Sequence, residues 1–122
     1  MIHSRRDIQY CEELFKSFYN IGATADGGVT RLGYTQTEDR MHETLIADGK
    51  QMGYMDVTDE VGNTYICNSM EENYYLIGSH LDSVVEGGRY DGVAGVIAGM
   101  MVLRLSLIHI SDSLDILLLF FG

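Results

Sequence analysis

The 122-residue chain carries 18 acidic and 8 basic side chains, a formal net charge of −10 with histidine neutral. That balance leaves no basic stripe for a nucleic-acid backbone and suits a protein that tolerates cations. At 46% hydrophobic and 21% charged residues, the composition fits one globular domain with a real core, is too short for two, and argues against disorder.

In chain order, the N-terminal MIHSRRDIQY lacks the apolar stretch of a signal peptide, so a cytoplasmic location is the expectation. Residues 7–21 place Ile8, Cys11, Leu14, Phe15, Phe18 and Ile21 at helical three-and-four spacing. Residues 22–35, GATADGGVTRLGYT, read as a loop. Thr35 and Glu38 match a capping box, with Thr37 a rival N-cap. The helix that follows runs to about Met52, with Met41, Leu45 and Met52 inward and Gly53 just past its end. Tyr54–Thr58 and Thr64–Asn68 alternate as hairpin partners around the turn at 60–63. Tyr74–Gly78 is a continuous apolar run, expected to be a strand buried on both faces. Gly92–Leu105 reads as an apolar helix whose Ala94, Gly95, Ala98 and Gly99 let it lie close to a sheet. Leu114–Phe121 reads as another buried strand, too short to span a bilayer. Cys11 and Cys67 are far apart, and buried free thiols in a reducing compartment are the expectation. This order implies an α/β sandwich with helices on its faces and a partly parallel sheet.

Between the third strand and third helix lies GSHLDSVVEGGRYDG, residues 78–92. Four glycines in fifteen residues carry an entropic cost that a plain surface loop would avoid. Open α/β sheets place ligands at the carboxyl ends of strands, where His80 falls, and Asp91 falls near the start of the next helix. Imidazole with carboxylate suits zinc, manganese or cobalt, whereas calcium would take more oxygen ligands. Asp82, two residues after His80, would accept its second ring N–H and fix the tautomer. Gly87, Gly88 and Gly92 would let the loop fold back so that Asp91 meets His80. Two ions about 3.5–4 Å apart could then share Asp91.

Plainer readings stand beside these. His80 could be a hydrogen-bonded core histidine, Asp91 a helix N-cap and Asp82 a loop cap. Glu86 and Arg89 read as solvated loop charges, and Gly92, Gly95 and Gly99 as helix packing rather than phosphate binding. His3, His42 and His109 read as surface or structural. Gly27–Arg31 either approaches substrate or packs as a loop. Ser83 lacks a nucleophile elbow.

LIGSHLDSVVEGGRYDGVAGVIAG resembles the first metal motif of the dinuclear metal-dependent amidohydrolases related to zinc carboxypeptidases and aminoacylases. With GATADGGVTRLGYT and the VGN turn at 61–63, it is similar to N-carbamoyl-L-amino-acid hydrolases, allantoate amidohydrolases and β-ureidopropionase-like enzymes. The resemblance covers roughly residues 8–105. It implies His80 as a ligand of one metal, Asp91 as the carboxylate bridging both, and Asp82 as the catalytic residue supporting the histidine. It further implies two divalent ions (zinc, manganese or cobalt), a small ureido or amide substrate, no nucleic-acid or membrane partner, and a homodimer for the complete enzyme. Residues 1–122 would be the N-terminal portion of the catalytic domain. The family's Glu-Glu pair and later histidines would lie beyond it, and 106–122 form an atypical tail. The implied activity is hydrolysis of non-peptide C–N bonds in linear amides, such as an N-carbamoyl amino acid or allantoate, with negligible turnover by this chain alone. The alternatives are an aminopeptidase or dipeptidase of the same superfamily and a non-catalytic metal-binding module.

Overall fold

The computed structural model describes residues 5–68, 73–109 and 116–121, and for 107–109 the backbone alone. The expectations for His3, for the side chain of His109 and for a strand start at Leu114 lie outside the described residues. Helix α1 (Arg5–Tyr19) is followed by a loop and α2 (Gln36–Gln51). Next come β1 (Met55–Thr58), β2 (Thr64–Cys67), β3 (Tyr75–His80), α3 (Val93–His109) and β4 (Ile116–Phe121). Among the described residues no helix is long and apolar enough to cross a membrane.

Local chemistry sets the element boundaries. Thr35 caps α2, its hydroxyl accepting from the Glu38 N–H at 3.4 Å. The Glu38 carboxylate returns to the Tyr34 N–H at 2.8 Å, one residue earlier than a standard capping box. Gly53 follows the C-cap Met52 at φ +85. The β1–β2 turn is organised by Asp59, whose carboxylate accepts from the N–H groups of Val61 and Asn63, the Asn63 amide and the Tyr65 hydroxyl. The hairpin is in register from Met55 opposite Cys67 to Thr58 opposite Thr64.

The sheet order is β1-β2-β4-β3, with β4 antiparallel to β2 and parallel to β3. Ile66 pairs with Leu118 and so shares a face with it. Gly49 of α2 approaches Ile66 on that face, and Gly99 of α3 approaches Leu118 and Ile77. Both helices therefore cover the same side, with α1 packed on α3. The core between the layers comprises Leu14, Phe18, Met41, Leu45, Ile66, Val96, Ile97, Met100, Leu103, Ile116, Leu118 and Phe120. Each fully buried side chain of this size contributes about 1.5–3 kcal/mol.

Four expectations change. The run at 74–78 is not buried on both faces, because β3 is an edge strand and Leu76, turned from the helices, is 58% exposed. Ile8 of α1 is 53% exposed, and the buried residue of that turn is Asp7, bonded to Arg104 at 3.0 Å. Of the four small residues of α3, Gly95 and Gly99 touch the sheet while Ala94 and Ala98 face outward. The cysteines are unbridged, but Cys11 is only partly buried.

Candidate metal centre

His80 is the last residue of β3, at its carboxyl end. Asp82 follows on extended chain, and its Oδ1 lies 3.1 Å from His80 Nδ1, with the Asp82 carbonyl also at 3.1 Å. Both acceptors face Nδ1, an arrangement that favours the tautomer with its proton on Nδ1 and its lone pair on Nε2. Nε2 lies 3.8 Å from Asp91 Oδ1. The three side chains are 41%, 44% and 60% exposed, which rules out His80 as a core histidine and leaves the group open to a ligand.

Asp91 precedes α3 by two residues, yet its carboxylate accepts no N–H of that helix; among the described residues its close partner is His80. The plain N-cap reading is thereby removed. Gly92 explains the approach. At φ +73 it turns the chain beneath His80, and a Cβ there would lie 2.5 Å from the His80 carbonyl and 2.7 Å from Nδ1 and Cε1. No other residue fits. Gly87 serves differently, pairing with Val29, while nothing lies within 4 Å of a Cβ placed on Gly88. The remaining left-handed position of the loop is taken by Glu86 at φ +50.

The loop after α1 is a clamp, and motif reading missed its parts. Val29 bridges both Ala23 and Gly87. The Arg31 N–H donates to Ser83 Oγ at 2.9 Å and the Ser83 N–H to the Arg31 carbonyl at 2.8 Å, with both residues buried. The Arg31 guanidinium is fully buried and donates to the carbonyls of Ile21 at 2.8 Å and Phe18 at 2.5 Å, closing the C-terminus of α1. Burial without an acidic partner lowers its pKa. Gly27–Arg31 is packed as a loop against α1 and the 83–87 segment. Glu86 accepts from the Thr24 hydroxyl at 2.6 Å.

His42 is structural, buried on α2 with Nδ1 2.6 Å from the Thr64 hydroxyl. Its Nε2 and Glu38 Oε2 are both buried without a hydrogen bond and 4.0 Å apart. Burial lowers the His42 pKa, with Glu38, Asp39 and Asp82 pulling weakly the other way. Among the described residues no group of three or more His, Cys, Asp or Glu side chains is arranged to hold a metal ion. His80 Nε2 and Asp91 Oδ1, at 3.8 Å, form an exposed nitrogen–oxygen pair.

No family model matches the chain. Among curated proteins it is 37% identical over 86 residues to an allantoate amidohydrolase of Bacillus subtilis, covering 68% of this chain and 21% of that protein. It is 36% identical over 87 residues to an N-carbamoyl-L-amino acid amidohydrolase of Geobacillus stearothermophilus, covering 69% and 21%. The chain thus spans about a fifth of the length of these relatives. Its fold matches a crystal structure of a hydantoinase/carbamoylase family amidase from Burkholderia ambifaria with TM-score 0.83 and 30% identity, over 98% of this chain and 31% of that one. Shared sequence and shared fold agree, and the chain belongs to the hydantoinase/carbamoylase family of amidohydrolases.

Proposed function

We propose that the chain contributes His80, Asp82 and Asp91 to a two-metal centre of zinc, manganese or cobalt that hydrolyses non-peptide C–N bonds in linear amides. The substrate class is an N-carbamoyl amino acid or a ureido compound such as allantoate, and the products of ureido cleavage are an amine, ammonia and carbon dioxide. The observation that carries the reading is the 3.8 Å approach of His80 Nε2 to Asp91 Oδ1 across the Gly92 turn. Among the described residues neither atom has a hydrogen bond that a ligand must break. Borderline divalent ions accept such a nitrogen–oxygen pair.

When bound, the ions supply Lewis-acid polarisation of the amide carbonyl and acidify water. The chain's own residues perform the positioning. Asp82 accepts at Nδ1 and so directs Nε2 outward, His80 and Asp91 would be the residues that hold metal, and the Arg31–Ser83 clamp fixes the loop between them. With two such ligands here, we expect negligible turnover from these 122 residues alone. Homodimerisation of the whole protein and a cytoplasmic location belong to the same proposal and rest on the resemblance.

Metal content after dialysis against zinc, manganese or cobalt, read by mass spectrometry, tests the reading. Retention by the wild-type chain and loss in His80→Ala and Asp91→Asn supports it. Equal retention in all three proteins, or none in a wild-type chain shown to be folded, removes the claim that this loop builds a site by itself. Ammonia released from allantoate or an N-carbamoyl amino acid by this chain would contradict the expected inactivity.

A further inference from the structure

A second feature of the GGRYDG loop stands apart from the metal ligands. Arg89, expected as a solvated charge, lies with its guanidinium carbon 3.6 Å above the centre of the Tyr19 ring and 5.8 Å from that of Tyr90. Tyr90 is held in turn by an edge-on contact with Phe15, centroids 5.5 Å apart at 83°. Together with Lys16, these residues line a small open cavity of about 120 Å³ at the junction of α1 and the loop.

The electrostatics there run against the rest of the molecule. The chain carries a net charge of −10 and eight basic residues, yet the cavity contains two of those cations and no carboxylate. The ion pairs among the described residues use His42, Lys50, His80 and Arg104, never Lys16 or Arg89. A third cation, Arg31, binds the Phe18 and Ile21 carbonyls at the end of the same helix, also without an acidic partner. It offsets the negative end of the α1 dipole, which would otherwise repel an anion.

Stacking on an aromatic face fixes the plane of a guanidinium and leaves its N–H edge free. That edge matches the paired oxygens of a carboxylate or phosphate group, and little freedom remains to be lost on binding. The volume lies far below the roughly 300–1,000 Å³ of pockets for drug-sized ligands, so a single small oxyanion is the fitting occupant. We propose that Arg89 and Lys16, held by Tyr19, Tyr90 and Phe15, form an oxyanion-binding pocket for a carboxylate or phosphate group. It is separate from the His80–Asp91 pair and does not rest on the metal reading.

Titration of the isotope-labelled chain with sodium phosphate and, separately, sodium malonate, each against sodium chloride of equal ionic strength, tests this by NMR. Saturable shifts of the Arg89 side-chain N–H and of the Tyr19 and Tyr90 ring signals are expected in the wild type and equally in His80→Ala. Saturation by phosphate alone or malonate alone assigns the oxyanion. Loss of a charge-assisted hydrogen-bond pair weakens binding about tenfold or more, the effect expected in Arg89→Gln. Lys16→Gln should weaken binding less, and Tyr19→Leu should weaken it with every charge retained. Shifts that merely track ionic strength, or an Arg89→Gln chain that binds like the wild type, overturn the proposal.

Discussion

Gly92→Ala is the sharpest perturbation of the candidate site, because two separable effects meet at one added methyl. The first is conformational: Gly92 sits at φ +73, where a Cβ crowds the following carbonyl at a cost of about 1–2 kcal/mol. The second is contact, since the new Cβ would lie 2.5 Å from the His80 carbonyl oxygen and 2.7 Å from two ring atoms. A backbone oxygen cannot rotate aside, so β3 and the start of α3 must separate by several tenths of an ångström, an overpacking strain of about 1–3 kcal/mol. Gly53→Ala serves as the control. It has nearly the same backbone, φ +85, with nothing within 4 Å of a Cβ, so it bears the conformational cost alone. Urea unfolding of the two variants should show Gly92→Ala less stable than Gly53→Ala by about 1–3 kcal/mol. The histidine ring signals of Gly92→Ala should move as His80 leaves Asp91. Equal losses in the two proteins, with His80 unshifted, would refute the close-approach argument and with it the reason this loop requires glycine at 92.

Other expectations follow from single contacts. Ser83→Ala removes the acceptor for the buried Arg31 N–H, 2.9 Å away, and should cost about 1–3 kcal/mol in the same unfolding assay; a cost near zero would show that the clamp does not hold the loop. Asp82→Asn exchanges the carboxylate facing His80 Nδ1 for an amide, and where metal is retained its affinity should fall about 10–100-fold, read by competition with a chromophoric chelator. One contribution to the pH dependence comes from His42, which burial makes a weaker base than in the unfolded chain. Its unfolded form therefore binds the proton first, so its contribution to stability is complete above about pH 6.5 and declines as pH falls below that. His42→Gln should flatten this slope below about pH 6.5, and an unchanged slope would locate the titration elsewhere.

What could be read from the residues, and what could not, divides by the range of the cause. The α2 cap at Thr35, the Gly53 stop, the β1–β2 hairpin and the direction of Asp82 depend on neighbours within a few positions, and all were legible. The failures involve partners far along the chain. Ile8 looked inward by periodicity, but its turn is oriented by Asp7 meeting Arg104, 97 residues away. The apolar run at β3 suggests cover on both faces, but hydrophobicity reports a preference for burial and not whether anything lies on the second face. Arg31 offers no local sign that it is buried against the end of α1.

The same division bears on how the site is built. His80 ends a strand, Asp91 precedes a helix, and neither position by itself brings them together; the strand and helix could diverge. The chain between them is held from outside by residues 22–31, through the paired Arg31–Ser83 bonds and the Val29–Gly87 bridge, and from within by the Gly92 turn. Arg31 joins this clamp to the end of α1, where its buried guanidinium accepts a desolvation cost that a neutral cap would avoid. A shift of α1 would thus pass through Arg31 to Ser83, one residue from Asp82, and so to the tautomer of His80. Lengthening the bond at Arg31 should disturb His80 without touching it, and Arg31→Lys, which keeps the charge but loses the planar pair of donors, should broaden the His80 ring signals in NMR. A sharp, unmoved His80 in a folded Arg31→Lys chain would show that the glycine turn alone sets the site.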